Sequence, residues 1–326
     1  MNSLEKRWQG RSLGIWLLWP LSWLYCLVVG VRNCLYDRKL LASVRLSVPV
    51  IVVGNITVGG TGKTPLVLWL AHVLQRAGYR PGIVSRGYRA RRSDQPREVT
   101  TASTPEDAGD EPLLLARRAG CPVVVSPDRV AAGRALLSAH DCNVIISDDG
   151  LQHRRLARDI EIVVIDGVRR FGNGLCLPAG PLRESVSRLK RVDARVTRGT
   201  PRPGEIGMTF RALALRNLVS GEAREVSDFV GQNVQALAGI GNSAGFFAQL
   251  RDLGLEVHEH AFPDHHAFRS EDLAFDDGTP LIMTEKDAVK CTGFARANHW
   301  YLAIEASPDP GFDKLILKLL EAKRGG

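Results

Sequence analysis

The chain has 326 residues, 44% hydrophobic and 24% charged. That mixture excludes a disordered chain, and at about 150 residues per domain the length points to two domains. The 43 Lys plus Arg exceed the 35 Asp plus Glu, giving a formal charge of +8, and only nine of the cations are Lys. Guanidinium forks suit phosphates and anionic headgroups. The surplus therefore points to an anionic partner, whether phosphate, membrane or nucleic acid, beside the plainer reading of a basic solvated surface.

Residues 12–31 (SLGIWLLWPLSWLYCLVVGV) carry no charge, a length that crosses a bilayer core as a helix. Lys6, Arg7 and Arg11 precede the segment, and Arg32, Arg38 and Lys39 follow it. Trp8, Trp16, Trp19 and Trp23 lie in or beside it, and Trp prefers the headgroup level. No small-x-small cleavage site follows, which argues against a signal peptide. Pro20 would kink a spanning helix, so the segment reads as a membrane anchor, spanning or sunk in one leaflet. The six cysteines (Cys26, Cys34, Cys121, Cys142, Cys176 and Cys291) form no C-x-x-C pair. They read as reduced residues in a cytosol-facing protein rather than as a zinc or redox site.

Behind the anchor, 49–54 (PVIVVG) reads as a buried strand, followed by a Gly-rich turn and a helix over about 65–77 that Gly78 ends. A strand at 81–85, a polar loop at 89–108 and a helix at 110–118 come next. Then follow a strand at 121–125, a helix at 129–139 and strands at 143–147 and 160–165. This alternation predicts a parallel sheet covered on both faces. Residues 168–205 are rich in Gly, Pro and Arg and read as functional loops, and 205–228 as a linker of two extended stretches. Strands at 234–240, near 256, at 280–283 and at 300–304, with helices at about 244–253 and 311–323, make a second unit. The fold class expected is α/β: a P-loop NTPase-like parallel-sheet lobe plus a smaller α/β lobe, with an N-terminal membrane helix. The boundaries are 1–32 for the anchor, 33–204 for the P-loop lobe, 205–228 for the linker and 229–326 for the smaller lobe. The last helix is a candidate to pack back on the first lobe.

The strongest chemical signal is TVGGTGKT: Thr57, Val58, Gly59, Gly60, Thr61, Gly62, Lys63 and Thr64. It follows a predicted strand and opens a predicted helix, the context in which backbone N–H groups cradle phosphates. Lys63 would reach the β/γ-phosphates and the Thr64 hydroxyl would ligate Mg²⁺. Thr57 stands where the usual motif has its first Gly. The run VIISDD ends in Asp148 and Asp149 where strand becomes loop, and such an Asp holds Mg²⁺ in P-loop enzymes. A GTPase needs a guanine-reading [NT]-K-x-D, and Thr284-Glu-Lys-Asp287 has Glu285 where the Lys belongs. Val58 occupies the place of the signature lysine of partitioning ATPases. A small-molecule or lipid kinase remains, set against a membrane-bound switch NTPase.

The anchor together with GNITVGGTGKTP, SRGY, GDEP, DDGLQH, DGVRRFGNG, LPAGPLRE, AGIG and MTEKDAVK resembles the tetraacyldisaccharide 4′-kinase family through nearly the whole chain. The resemblance implies transfer of the ATP γ-phosphate to the 4′-hydroxyl of an acylated glucosamine disaccharide 1-phosphate, giving lipid IVA in lipid A biosynthesis. It also implies two lobes joined by a short two-stranded linker, with the site in the cleft at the cytoplasmic side of the bacterial inner membrane. It pairs Asp110 of GDEP, the candidate base, with His265 of PDHH. From the residues alone, Asp110 reads equally well as a helix cap. Candidate substrate contacts are Arg86, Gln152, His153, Arg169, Arg170, Arg183 and Glu184, the arginines toward the 1-phosphate. Glu285, Lys286 and Asp287 receive no role. The expected partners are ATP with Mg²⁺, the phosphorylated glycolipid and anionic inner-membrane lipid; nucleic acid has no supporting motif.

Overall fold

The computed structural model describes residues 8, 13–88, 90–91, 93, 95–275 and 278–324, with only the backbone of 13–16 and 324. Lys6, Arg7 and Arg11, and the side chain of Trp16, lie outside the described residues.

Helix α1 (Leu13–Asp37) carries Pro20 and leads into the first lobe. That lobe holds strand β1 (Val50–Gly54), helix α2 (Lys63–Arg76), strand β2 (Pro81–Ser85), strand β3 (Arg97–Val99), helix α3 (Pro105–Ala108) and helix α4 (Asp110–Arg118). It continues with β4 (Val123–Val125), α5 (Arg129–Ala139), β5 (Val144–Asp148), β6 (Ile160–Asp166) and β7 (Ala194–Arg198). Next come β8 (Ile206–Asn217) and β9 (Ala223–Arg224). The remainder is β10 (Asn233–Ala238), α6 (Ser243–Asp252), β11 (Glu256–Ala261), β12 (Leu281–Thr284), α7 (Glu285–Cys291), β13 (His299–Pro308) and α8 (Phe312–Arg324).

One sheet runs through both lobes in the order β11-β10-β12-β13-β8-β7-β6-β1-β5-β2-β4-β3, with β9 hairpinned onto β8. From β4 to β8 every neighbouring pair is parallel, and so is every pair from β13 to β11. The two parallel halves are fused by the antiparallel β8–β13 pair, which runs from Asn217↔Trp300 to Met208↔Pro308 with a register shift between Ala303 and Ile304. Residues 205–228, read from sequence as a linker, thus form β8 and β9, and β8 is an interior strand. Two elements inside the stretch read as loop, β3 and β7, also join the sheet.

The strands β1, β5 and β6 are buried throughout, as parallel strands covered on both faces must be. Leu66, Leu70 and Leu74 of α2 pack on one face with Leu113 and Leu115 of α4. Phe312, Ile316 and Leu320 of α8 join the same cluster, and Trp69 stacks on Phe312 at 5.2 Å. The last helix therefore lies on the first lobe. On the other face, Val130 and Leu136 of α5 pack with Val50, Val52 and Ile145, and Tyr25 and Cys26 of α1 close that layer.

Helix α1 is fastened along one side. The Ser22 hydroxyl donates to the Cys176 carbonyl at 2.6 Å, the Tyr25 hydroxyl to the Arg183 carbonyl at 3.1 Å, and the Asn33 amide to Glu184 at 2.9 Å. Its opposite side exposes Leu17, Leu21, Leu24, Val28 and Val31. Cys26 and Cys176 form a disulfide with Cα atoms 6.2 Å apart, which corrects the expectation of six reduced cysteines. A separation of 150 residues leaves no spacing signal for such a pair in the sequence.

Candidate active site

Parallel strands place their carboxyl ends on one edge, where ligands bind α/β sheets. Strand β1 ends in Gly54, and the loop 55–62 turns into α2. Gly59 and Gly62 hold φ of 92° and 93°, left-handed values that glycine adopts without strain. A Cβ at Gly62 would stand 2.6 Å from Phe210 Cζ, so a side chain there would push the loop off the sheet. Gly62 caps α2 with no side-chain hydrogen bond. The first amides of that helix are therefore left for an anion. The departure at Thr57 is structural: Thr57 bridges to Leu182, and the Val58 amide donates to the Pro181 carbonyl at 2.8 Å. Thr61 is buried, and its hydroxyl has no hydrogen-bond partner among the described residues.

Strand β5 lies beside β1 and delivers Asp148 and Asp149 behind the loop. Asp149 Oδ1 sits 3.6 Å from Lys63 Nζ, and both its oxygens accept from Arg183 Nη1 at 3.1 Å. Burial opposes ionisation of Asp149, but Lys63 and Arg183 overcome it and hold the carboxyl below its ordinary range. Asp148 differs. One oxygen accepts from the Ser85 hydroxyl at 3.1 Å; the other is buried without a hydrogen-bond partner among the described residues. Burial, then the charges of Glu111 and Asp149, push its pKa up to about 7. A buried carboxylate destabilised in this way is a place for a cation. Asp149 itself holds φ of 45°, a left-handed conformation that a non-glycine residue keeps only where the surroundings impose it.

The second lobe closes over this floor. The turn after β10 brings Gly241 so near that a Cβ there would lie 3.8 Å from the Gly60 amide nitrogen. The loop after β11 presents His265, whose backbone amide donates to Gly239 and whose φ is 59°. His265 Nδ1 lies 3.2 Å from Asp110 Oδ2, across the lobe boundary. Asp110 is the first residue of α4, with Gly109 as the cap, so capping does not occupy its carboxylate. Burial raises the Asp110 pKa, but the hydrogen bond from His265 and the charges of Lys290 and Lys286 outweigh it and keep the group below its usual range. Tyr88 approaches the imidazole edge-on at 5.5 Å.

The remaining candidates divide. Arg183 stays at the floor on Asp149. Arg169 reaches over the phosphate loop, where its guanidinium donates to the Gly60 carbonyl and lies 3.2 Å from Asp166. Arg170 is turned away, held by both oxygens of Glu205 at 2.6 and 2.9 Å. Gln152 and Glu184 brace the scaffold: Gln152 donates to Asn55 O and to Glu184, and Glu184 accepts from Asn33 of α1. His153 accepts from the Arg129 amide at 3.3 Å, and burial with Arg129 pushes its pKa down to about 4, which leaves it neutral. Arg86 is exposed and lines a cleft of about 570 Å³ with Arg91 and Arg97.

Three charged residues near the site were given no role from sequence. Arg129 is buried behind the aspartate pair, and burial pushes its pKa down to about 10 against the pull of Asp148 and Asp149. Glu111 follows Asp110 and sits 3.1 Å from Lys286 Nζ. Lys286 also lies 3.3 Å from His265 Nε2. GDEP and TEKD marked the last two segments, but the pairing between them is visible only in three dimensions.

A glycine-rich loop on a helix N-terminus, a lysine at its end, a paired aspartate on the adjacent strand and a facing carboxylate–imidazole pair define a P-loop phosphotransferase. A model of the family described as tetraacyldisaccharide-1-P 4′-kinase (LpxK) matches residues 14–321, and the chain belongs to that family. It is similar to the tetraacyldisaccharide 4′-kinases of Nitrosococcus oceani, 52% identical over 96% of this chain and 93% of the relative, and of Alkalilimnicola ehrlichii, 54% identical over 89% and 88%. A crystal structure described as the "apo" form of LpxK from Aquifex aeolicus in complex with ATP matches with a TM-score of 0.82. It is 33% identical and covers 94% of this chain and 100% of that one.

Proposed function

We propose that this chain transfers the γ-phosphoryl group of ATP to the 4′-hydroxyl of a tetraacyldisaccharide 1-phosphate, with Asp110 as the base that receives the hydroxyl proton. The observation that carries this reading is the position of one lobe against the other. The loop of the second lobe that sets His265 on Asp110 follows the strand next to the one whose end lies on the phosphate loop. A hydroxyl between the two lobes would face a carboxylate on one side and the γ-phosphate on the other.

Phosphoryl transfer asks for alignment and charge neutralisation more than for covalent help. The amides at the start of α2 and Lys63 hold the phosphates. Arg169, above Gly60, adds a second cation to the phosphate side. His265 holds Asp110 in position, and the carboxylate accepts the proton as the new P–O bond forms. Thr64 and the unpartnered oxygen of Asp148 suit a divalent cation, with Asp149 already engaged by Lys63 and Arg183. When bound there, Mg²⁺ neutralises charge on the β- and γ-phosphates. The exposed cleft with Arg86 and Arg91 is suited to the anionic end of the glycolipid.

Helix α1 supports a monotopic anchor at the cytoplasmic leaflet of the inner membrane. Its attachment points from Ser22 to Asn33 run along the first lobe, which favours a helix lying in one leaflet over one that leaves the lobe to cross the bilayer. Its exposed leucine and valine face is the kind that sinks into one leaflet. Acyl chains of the substrate would occupy that same leaflet. The test is the purified chain with γ-labelled ATP and the disaccharide 1-phosphate in detergent. Label in the lipid supports the kinase; label only in free phosphate supports the switch NTPase.

A further inference from the structure

Lys286, at the start of α7, is partly buried in the lobe boundary beside the Asp110–His265 pair. Its ammonium reaches three groups from two other segments of chain: Glu111 Oε1 at 3.1 Å, and in the loop after β11 His265 Nε2 at 3.3 Å and Asp264 Oδ1 at 3.7 Å. Burial opposes its charge, but Glu111 and Asp264 outweigh burial and favour the protonated form.

We propose that Lys286 is a positioning residue for the base: its ammonium donates to His265 Nε2 and thereby fixes the neutral imidazole tautomer whose Nδ1–H donates to Asp110. An ammonium has three donors and no acceptor. The imidazole nitrogen facing it must therefore offer a lone pair, and the single proton of the neutral ring falls on Nδ1, 3.2 Å from Asp110 Oδ2. An imidazolium would set two cations 3.3 Å apart in a partly desolvated boundary, where such repulsion is weakly screened. Lys286 thus holds the ring by its Nε2 lone pair, keeps Nδ1–H on Asp110 and leaves Asp110 as the group that takes the proton from the acceptor. This inference rests on the reading of Asp110 as the base.

Among the described residues, few charged and titratable groups face the pair. Glu111 comes from α4, Asp264 from the His265 loop, Lys286 and Lys290 from α7, and Tyr88 from the turn after β2. Lys290 is committed to Asp287 at 2.7 Å and to the His266 carbonyl at 3.1 Å. It cannot replace Lys286 at Nε2 without leaving those partners. Removing the Lys286 ammonium leaves Glu111 and Asp264 beside the ring, acceptors that favour a proton on Nε2. The imidazolium then holds Asp110 as a tightly paired, poorly basic anion.

The experiment is the pH profile of kcat for Lys286→Met and Lys286→Arg in the full chain, with Asp110→Asn in the same lipid-phosphorylation assay. Lys286→Met is expected to lose about tenfold in kcat at pH 7, with the acid limb moved about one unit upward and partial recovery above pH 8. KM for ATP and lipid stays within about threefold of the parent. Lys286→Arg, which also only donates, retains the parental limb. If Lys286→Met does not fold, Lys286→Gln is read in its place with the same shift expected, since the charge is equally gone. A lowered kcat with an unmoved acid limb in the neutral variants, or an Arg variant as impaired as Met, overturns the inference and leaves Lys286 as a structural ion pair. Full turnover by Asp110→Asn would instead overturn the reading of Asp110 on which it rests.

Discussion

The nucleotide end and the acceptor end of the cleft are built in opposite ways. At the nucleotide end, Lys63, Asp148 and Asp149 come from adjacent parallel strands and the helix that follows one of them. The scaffold under them is among the most buried parts of the chain. The acceptor end is assembled across the lobe boundary. Asp110, Glu111 and Arg118 of α4 meet His265, Lys286 and Glu285 of the second lobe through three polar pairs. A preorganised floor holds phosphates whether or not the lobes are docked. On the proposed reading the acceptor groups work only where the two lobes meet, which would tie chemistry to that contact and keep water from the γ-phosphate.

That contrast can be broken from either side. Lys63→Met removes charge from the rigid floor: kcat should fall by about a thousandfold or more with the melting temperature nearly unchanged. Steady-state kinetics beside thermal unfolding checks both halves. Arg118→Ala acts on the boundary instead. It leaves Glu285 buried without the guanidinium that holds it at 2.6 Å, and loss of one partner of a buried pair costs about 3–5 kcal/mol. Lipid phosphorylation should drop about tenfold while ATP binding persists; equal loss of both would erase the distinction between the two ends. The smallest catalytic effect is expected at the anchor. Leu21→Glu with Leu24→Glu changes only the exposed side of α1. It should release the protein from vesicles in a flotation assay yet leave turnover on detergent-dispersed substrate within about twofold.

The same contrast governs what the sequence could disclose. The phosphate loop and the aspartate pair are contiguous strand–turn–helix signals, so their residues stand out at fixed offsets. Strand β7 hid because arginines at its partly exposed positions 195 and 198 resemble loop charges. The two extended stretches read at 205–228 are β8 and β9, but the irregular burial of β8 left no pattern to mark it as an interior strand. Gln152 reads as a candidate sugar contact because it follows the aspartate pair, and Glu184 as a candidate substrate contact because it sits in a Gly/Pro-rich loop. Their partners, Asn55 and Asn33, lie 97 and 151 residues away. Arg170 likewise found Glu205 rather than a ligand. Lys286 had no readable role because its three partners belong to two other segments of the chain, brought together only by packing of α4 against α7.

The central claim is that Asp110, set by a histidine from the other lobe, accepts the acceptor proton. Single-turnover transfer from γ-labelled ATP to the disaccharide 1-phosphate, comparing the parent with Asp110→Asn at matched ATP occupancy, tests it most directly. Labelled lipid is expected from the parent, with transfer at least about a hundredfold slower from the variant and ATP affinity unchanged. Equal rates of lipid labelling in the two proteins would contradict it.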